Sequence, residues 1–433
     1  MCLAAYKYSL FIIYLSVLLY KSGLSSRGVV EVLGYIGDFM GIKIGTPSYG
    51  IVRIWVQKVG LYLLKMGGQE EKKDDKWSVI VDESYTLGKS RLMLVLGINL
   101  TRLETGRALK VTDVVPLMIR SRDSWLSEDV SDVLSEAIKK VKGKVLYVTS
   151  DNGGNLVKAY GQKGIHHIPD WSHYSANILE NCYKLEADFK FFNEQMGNFK
   201  KKRKQSDYGR FTPPSLSMKV RFMNYIPFLE WANLMLKHFK RLPEPIVPEL
   251  QFLKDNKVFI LELTDLFYNA NAIGISLKNE GINLKTQKEA VRTLDDLVQK
   301  YPNNSRVMQY STGIKSYFDQ TIPVFTNVTS KEKSSTHFSK SLIASSDIIE
   351  SIFGKLKHRM PNDLKKEFSL LTLIIPLFCR KITLSDVYSA MSTISMKDLD
   401  QWKRENLKSA KVVFFRKAFE KTVKNGGIKF KTA

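Results

Sequence analysis

The sequence predicts a mixed α/β core that follows a small helical region and is interrupted by a long helical insertion. Three observations lead to this fold class. Short β-branched runs begin at Trp77, and the first of them follow one another without a helix between them. They then alternate with helical patterns, which is typical of a mixed sheet with helices on its faces. Helical periodicity dominates before residue 65 and again after residue 200.

Charge and composition narrow the class of partner. The 433 residues include 66 Lys and Arg against 43 Asp and Glu, for a formal net charge of +23. A hydrophobic fraction of 44% is enough for a sizeable core, which excludes a disordered or fibrous chain. So large a positive excess indicates a polyanionic partner, nucleic acid before a membrane surface. The cysteines Cys2, Cys182 and Cys379 have neither a disulfide framework nor a zinc-ligand spacing.

The first apolar segment, Ser9 to Tyr20, is too short to span a bilayer. We therefore expect a buried first helix and no membrane partner. The alternative is the apolar core of a signal peptide, although no small-residue cleavage site follows it.

Residues 1–65 are predicted to form a helix-turn-helix DNA-binding domain. Thr46 and Pro47 open its third helix, with threonine as the N-cap and proline at the first helical position. Arg53, Gln57 and Lys58 lie among the apolar positions of this helix, and we expect them to contact DNA. A plain helical bundle has the same periodicity and stays open as the alternative.

The elements after residue 76 define the core. Predicted strands are Ser78–Val81, Arg91–Leu100, Ala108–Val115, Lys144–Thr149 and His166–Ile168, and predicted helices are Ser127–Val141, Gly153–Tyr160 and Ser172–Met196. The predicted divisions are a linker at 66–76, the first part of the core at 77–199, a helical insertion at 200–340, and the last part of the core with a helical tail at 341–433.

Two aspartates stand at predicted strand ends. Asp82 ends the first strand and Asp151 ends the fourth, so adjacent parallel strands would place both carboxylates side by side. Repulsion between them would be relieved by a divalent cation, and hard oxygen ligands suit Mg²⁺ or Mn²⁺. Taken singly, each aspartate can also be a turn or capping residue.

Glu350 is the predicted third acid, on a helix that begins near Ser346. Gly354 and Lys357 share its face, where glycine allows close approach and Lys357, with Lys355 beside it, would face phosphate. With three carboxylates, two metal ions could be held. The alternative is that Asp347 and Glu350 form a capping box.

These motifs resemble those of DDE transposases and integrases, whose catalytic domain has the ribonuclease-H-like fold. Val79–Ser84, Tyr147–Gly153 and Glu350–Lys357 resemble the segments that carry the three acids. The long insertion resembles that of hAT-like transposases. Asp170 and His173 stand where related groups have a supporting (C/D)-x-x-H motif, although they could also be an N-cap and an ordinary helix-terminal histidine.

The resemblance implies a DNA transposase that binds element ends, hydrolyses phosphodiesters and transfers strands. Asp82, Asp151 and Glu350 would be catalytic and would hold two Mg²⁺ or Mn²⁺ ions. Double-stranded DNA would be the partner, on a homodimer or larger assembly. We expect a nuclear location in a eukaryote and a nucleoid-associated, cytoplasmic one otherwise. The alternatives are a transposase-derived DNA-binding protein without catalysis and a structure-selective nuclease.

Overall fold

The computed structural model describes residues 7–41, 45–69, 72–104, 106–215, 225–330, 341–360 and 367–408. The predicted C-terminal tail beyond residue 408 lies outside these residues. The described chain is a mixed α/β protein built around a five-stranded sheet. Its strands are β1 (Lys76–Leu87), β2 (Ser90–Asn99), β3 (Val114–Arg122), β4 (Lys144–Ser150) and β5 (His166–Pro169).

The helices precede the sheet, flank it and fill the long insertion. They are α1 (Leu10–Lys21), α2 (Ser26–Met40), α3 (Tyr49–Met66), α4 (Ser127–Lys140), α5 (Gly154–Gln162), α6 (Trp171–Tyr183), α7 (Ala187–Arg203), α8 (Ile226–Lys237), α9 (Gln251–Asp255), α10 (Lys257–Glu280), α11 (Leu284–Lys300), α12 (Ser305–Ser330), α13 (Asp347–Arg359), α14 (Ile375–Phe378), α15 (Leu384–Thr393) and α16 (Met396–Asn406).

The strand order in the sheet is β3-β2-β1-β4-β5. β1 is antiparallel to β2 and β2 is antiparallel to β3, whereas β1 is parallel to β4. The predicted mixed sheet flanked by helices is therefore confirmed. The third strand was predicted too early, because a 3-10 turn at Val111–Asp113 precedes it and pairing with β2 begins at Val114.

Helices cover both faces of the sheet. On one face, alternate residues of β1 pack against α4 and α5, since Trp77, Val79 and Val81 share a buried cluster with Val133 and Leu156. β2 is buried along almost its whole length, as expected for a strand with packed residues on both sides.

α3 packs closely on the segment before α14. A Cβ atom at Gly60 would lie 1.8 Å from the carbonyl oxygen of Leu373, so the two backbones approach as only glycine allows. The N-terminal helices belong to the same compact unit as the sheet.

The chain divides into two compact units. One contains the residues up to Leu103, Leu109–His167 and those from Ser346 onward; the other contains Glu104–Ala108 and Ile168–Ser345. The helical unit therefore begins near residue 168, not at residue 200 as predicted. Within that unit Trp171 packs edge-on against Tyr317, with ring centroids 5.2 Å apart, which fixes α6 among the insertion helices.

Two predicted boundaries inside the chain also change. The helix predicted over Ser172–Met196 is two helices, because Glu186 has extended backbone angles and α7 starts anew after it. The predicted linker at 66–76 is partly structural. Buried Asp75 accepts hydrogen bonds from Asn99 Nδ2 at 2.9 Å and from the Lys72 backbone N–H at 3.1 Å, so it anchors the start of β1.

The helical unit has a buried polar network on α10. The carboxylate of Glu262 accepts hydrogen bonds from Tyr183 Oη at 2.7 Å and from Arg306 Nε at 2.8 Å. Of the described helices, α10 is the one that is long and apolar enough to cross a membrane. Its buried residues and this ion pair are those of a helix packed inside the helical unit.

One arginine joins α13 to the N-terminal helices. Arg359 donates from Nη1 to the carbonyl oxygen of Leu24 at 2.7 Å and from Nη2 to that of Tyr20 at 2.6 Å. Its guanidinium also lies 4.8 Å from the centre of the Tyr20 ring. These bonds join α13 to carbonyl groups at and after the end of α1, where the Tyr20 carbonyl also accepts from the Gly23 N–H at 3.2 Å.

The packing at Gly60 yields a first prediction. Gly60→Ala should lower the free energy of unfolding by about 3 kcal/mol, because the added methyl group collides with the Leu373 backbone. The matched control is Gly34→Ala in α2, where an added Cβ would meet nothing within 4 Å and alanine should be neutral or stabilise by up to about 1 kcal/mol. Denaturant unfolding would measure both, and equal stabilities would contradict the contact.

A second prediction concerns Lys140, whose Nζ donates to the carbonyl oxygen of Leu117 at 2.7 Å. Burial lowers the pKa of Lys140 to about 8, against the attraction of Glu136. Between pH 8 and the ordinary lysine pKa of 10.5 the unfolded chain keeps a proton that the folded chain has lost. The free energy of unfolding should therefore rise with pH, by about 2 kcal/mol from pH 7 to 9.5.

Lys140→Met should remove this rise, whereas Lys139→Met, a change of the exposed neighbour on α4, should keep it. Urea unfolding at a series of pH values would measure the slopes. Parallel slopes for wild type and Lys140→Met would show that Lys140 is not the titrating group.

Candidate active site

Asp82 and Asp151 lie at the same level of two neighbouring strands. The parallel ladder pairs Ile80 of β1 with Thr149 of β4, and each aspartate comes two residues later. Because side chains alternate along a strand, both carboxylates belong to the face opposite the cluster containing Val79. Both are half-buried. The structure thus brings together two acids that are far apart in sequence.

Asp82 does not end β1, contrary to the prediction. The strand continues to Leu87, and its pairing with β2 is irregular between Asp82 and Tyr85. After this bulge, Tyr85 returns to the core between Phe353 and Phe368, with ring centroids at 5.5 and 5.2 Å. Bulges re-aim side chains beside functional sites, and here the unpaired stretch holds Glu83 next to Asp82.

Glu83 is the acid that the sequence interpretation passed over. Its side chain is 23% exposed, and Oε1 lies 3.9 Å from Nη1 of Arg91. Burial raises the pKa of Glu83, Arg91 lowers it, and the charges of Asp151 and Asp82 raise it further. Within the described residues, the buried Oε2 has no hydrogen-bond partner. The charges of Asp82 and Asp151 therefore act on the carboxylate of Glu83 at this end of β1 and β4.

Asp151 also makes a turn. Its Oδ1 accepts a hydrogen bond from the Gly153 backbone N–H at 3.1 Å, which is the turn role that the sequence left open. This bond orients the carboxylate at the end of β4, so the turn and a ligand role are compatible.

Ser150 and His167 support the Asp151 backbone and were not singled out in the sequence. Ser150 Oγ donates to the carbonyl oxygen of Asp151 at 2.9 Å and lies 3.1 Å from His167 Nε2. Burial lowers the pKa of His167, while a backbone hydrogen bond at Ser150 and the charge of Asp151 raise it. Nothing in the local pattern around His166 and His167 marks this contact, because it depends on the pairing of β5 beside β4.

Glu350 lies on the exposed side of α13. The helix begins at Asp347 with Ser346 as its N-cap, so Asp347 is not the cap that a capping box would require. The predicted apolar face is buried, and Phe353 packs against Tyr85 of β1. Glu350 is exposed, and it shares its side of the helix with Lys357 seven residues later.

The basic residues of α13 lie beside the sheet. Lys357 Nζ is 5.2 Å from the centre of the Tyr85 ring. Tyr85 comes three residues after Asp82 on β1. Lys355 Nζ is 5.8 Å from the Phe378 ring. Both lysines are exposed and hence accessible to an anion.

The three predicted acids do not form a completed metal site. Across the ranges that the structure describes, no three His, Cys, Asp or Glu side chains come close enough together to hold an ion. Asp82 and Asp151 occupy matching positions of β1 and β4, whereas Glu350 is an exposed residue of α13.

Asp170 and His173 belong to the helical unit. Asp170 is 1% exposed and is the N-cap of α6, with Oδ1 accepting from the His173 backbone N–H at 2.9 Å. This is the capping role that the sequence left open for Asp170.

The predicted DNA-binding residues of α3 differ in exposure. Arg53 is exposed and Gln57 is half-buried, but Lys58 is only 8% exposed. α3 belongs to the sheet unit and packs there against α1, α2 and α15. Little of its surface is therefore left to enter a groove of DNA. The burial of Lys58 does not agree with the prediction that it contacts DNA.

Comparison with known proteins does not show a family. No protein-family model matches the chain, and no curated protein matches its sequence. A functional conclusion therefore depends on the arrangement of the residues themselves.

The crowding of the three acids gives a prediction. In metal-free protein, Asp151→Asn should lower the pKa of Glu83, because a like charge is removed. Asp132→Asn, a change of an exposed acid on α4, should leave it unchanged. Carboxyl carbon NMR titration of glutamate-labelled protein would measure both variants, and an unchanged Glu83 in Asp151→Asn would place the two carboxylates out of contact.

Proposed function

We propose that this protein is a DDE-type DNA transposase with a ribonuclease-H-like catalytic core. The observation that carries the proposal is the placement of Asp82 and Asp151 at matching positions of the parallel β1–β4 pair. This is the juxtaposition that the resemblance to DDE transposases requires. The net charge of +23 supports a nucleic-acid substrate.

The topology of the sheet supports the proposed core. Three antiparallel strands come first, and a helix then leads to β4, which is parallel to β1. The helical unit follows, and the chain returns to the sheet unit with α13. This order agrees with a catalytic domain split by a helical insertion.

The residues present suit a hard divalent cation. Asp82, Asp151 and Glu83 offer carboxylate oxygens. The pKa of Glu83 is raised first by burial and then, against Arg91, by the charges of Asp151 and Asp82. Asp82 and Asp151 would hold Mg²⁺ or Mn²⁺, with Glu350 or Glu83 as the third carboxylate. When two such ions are bound, they would supply activation of a hydroxyl nucleophile and stabilisation of the leaving oxygen.

The protein's own groups would hold and orient the DNA. Lys357 and Lys355, exposed on α13 beside β1, would balance phosphate charge. Arg53 on α3 would add a contact to an element end. Water would attack one phosphodiester and release a 3′-hydroxyl, which would then attack target DNA with release of a target 3′-oxygen. Action on two element ends implies a dimer or larger assembly.

A second candidate is a transposase-derived DNA-binding protein without strand transfer. Within the described ranges no three His, Cys, Asp or Glu side chains are grouped to hold an ion, which favours this candidate. Both candidates bind DNA, so only a catalytic measurement separates them.

Cleavage of duplex DNA that carries the terminal sequences flanking the coding region would provide that measurement. With Mg²⁺, wild type should give nicks and strand-transfer products. Asp82→Asn and Asp151→Asn should each reduce the rate by about 1000-fold or more, since each removes a proposed ligand. Asp132→Asn is the control and should retain activity.

Glu350→Gln and Glu83→Gln would identify the third acid. Loss in only one of them assigns the role to that residue. Equal products from wild type and Asp151→Asn would contradict the enzyme and leave the DNA-binding protein, whereas nicks without strand transfer would indicate a nuclease.

A further inference from the structure

A dense group of cations lies where α7 ends in the helical unit. Its exposed members are Lys201, Lys202, Lys204 and Arg210, with half-buried Lys200 beside them, and we call this group the α7 basic surface. The sequence identifies the run as either a solvated stretch or a phosphate contact. The structure adds Arg210, which the local pattern does not connect to the helix.

The loop after α7 folds back against the helix end. A Cβ atom at Gly209 would lie 2.9 Å from the carbonyl oxygen of Lys204, so this turn requires glycine. The turn brings the backbone next to Arg210 against the end of α7. Lys200 Nζ donates to Ser215 Oγ at 2.7 Å, and Trp231 Nε1 donates to the carbonyl oxygen of Phe211 at 2.8 Å. The cations are therefore presented on a fixed scaffold.

One acid offsets part of this charge. Glu249 pairs with Arg203 and, at 2.6 Å, with Lys202. The hydrogen bond from Arg203 and then that from Lys202 lower the pKa of Glu249 to about 2. The remaining cations still repel one another. The pKa of Lys200 is lowered first by burial and then by the charge of Lys204. An anion bound here would relieve that repulsion. The negative end of the α7 dipole stabilises the lysines and does not itself attract the anion.

We propose that the α7 basic surface binds the phosphate backbone of duplex DNA without reading its sequence. Lys200 and Lys204 are four residues apart, about 6 Å along the helix axis. Phosphates of one strand advance about 3.4 Å along the duplex axis, so long side chains at this spacing can reach neighbouring phosphates. The proposal shares its DNA partner with the proposed function, but it concerns a surface of the helical unit and requires no catalysis.

The residues around the cations favour DNA over an anionic membrane. The exposed loop residues that follow Lys204 are Gln205 and Ser206, which are polar, and the acid Asp207, and none of them is apolar. A membrane-binding surface would set apolar side chains beside its lysines for insertion among lipids. A phosphate backbone needs only cations and hydrogen-bond donors.

The test is the salt dependence of binding to a fluorescent duplex of about 30 base pairs and arbitrary sequence, measured by anisotropy with the full-length protein. The triple variant Lys201→Gln, Lys204→Gln, Arg210→Gln should weaken binding by about 10- to 100-fold. It should also reduce the slope of log affinity against log salt by about 2 to 3, because fewer counterions are released.

The matched control removes three exposed lysines from α11 by Lys285→Gln, Lys288→Gln and Lys300→Gln. Lys285 and Lys300 already pair with Glu280 and Asp265, so this variant loses the same formal charge from a surface that acids balance. It should bind almost as wild type. Thermal unfolding of both variants would show that each is folded.

Equal losses in the two triple variants would overturn the proposal and leave only a net-charge effect. Wild-type binding to anionic phospholipid vesicles but not to DNA, lost in the α7 variant, would overturn it in favour of a membrane site. Preference for an RNA duplex over DNA would also overturn it. Binding is measured without Mg²⁺ on a duplex of arbitrary sequence and requires no cleavage, so a failure of the proposed catalysis is distinguishable from a failure of this surface.

Discussion

The pairing of β1 with β4 is the constraint on which the candidate site depends. Asp82 and Asp151 are distant in the chain, and only the parallel register that matches Ile80 with Thr149 brings them to one level. A one-residue slip would turn one aspartate to the other face of the sheet. The core cluster on the α4 and α5 side fixes that register, because Val79 and Val148 must both be buried there. Hydrophobic packing on one face therefore determines the electrostatics on the other.

The N-terminal helices and α13 pack in the same unit as the sheet that holds this register. α3 packs against backbone from the last third of the sequence at Gly60, and Arg359 of α13 binds the end of α1. The N-terminal helices thus contribute burial to the sheet unit. The helical unit has its own stabilising centre, where Glu262 and Arg306 form a buried ion pair whose other partners satisfy the carboxylate.

Local patterns were sufficient to predict the elements but not their tertiary partners. The strand at Lys144 and the helix at Ser127 follow directly from periodicity and agree with the structure within one residue. The continuation of β1 past Asp82 could not be predicted, because a bulge depends on the partner strand. The burial of Lys58 depends on which neighbouring elements pack against α3, and the sequence alone does not specify this. Likewise, the position of Glu83 beside Arg91 and the two aspartates depends on tertiary packing, and the sequence does not indicate it.

Arg359 and Glu350 occupy opposite ends of α13, which is about 20 Å long. The charges of Arg359 and Arg53 both act on the phenol of Tyr20, so the exposed cation of α3 lies in the electrostatic neighbourhood of the α13 anchor. Arg359 thus ties the last turn of α13 to the end of α1, and Glu350 stands about 13 Å away along the helix axis.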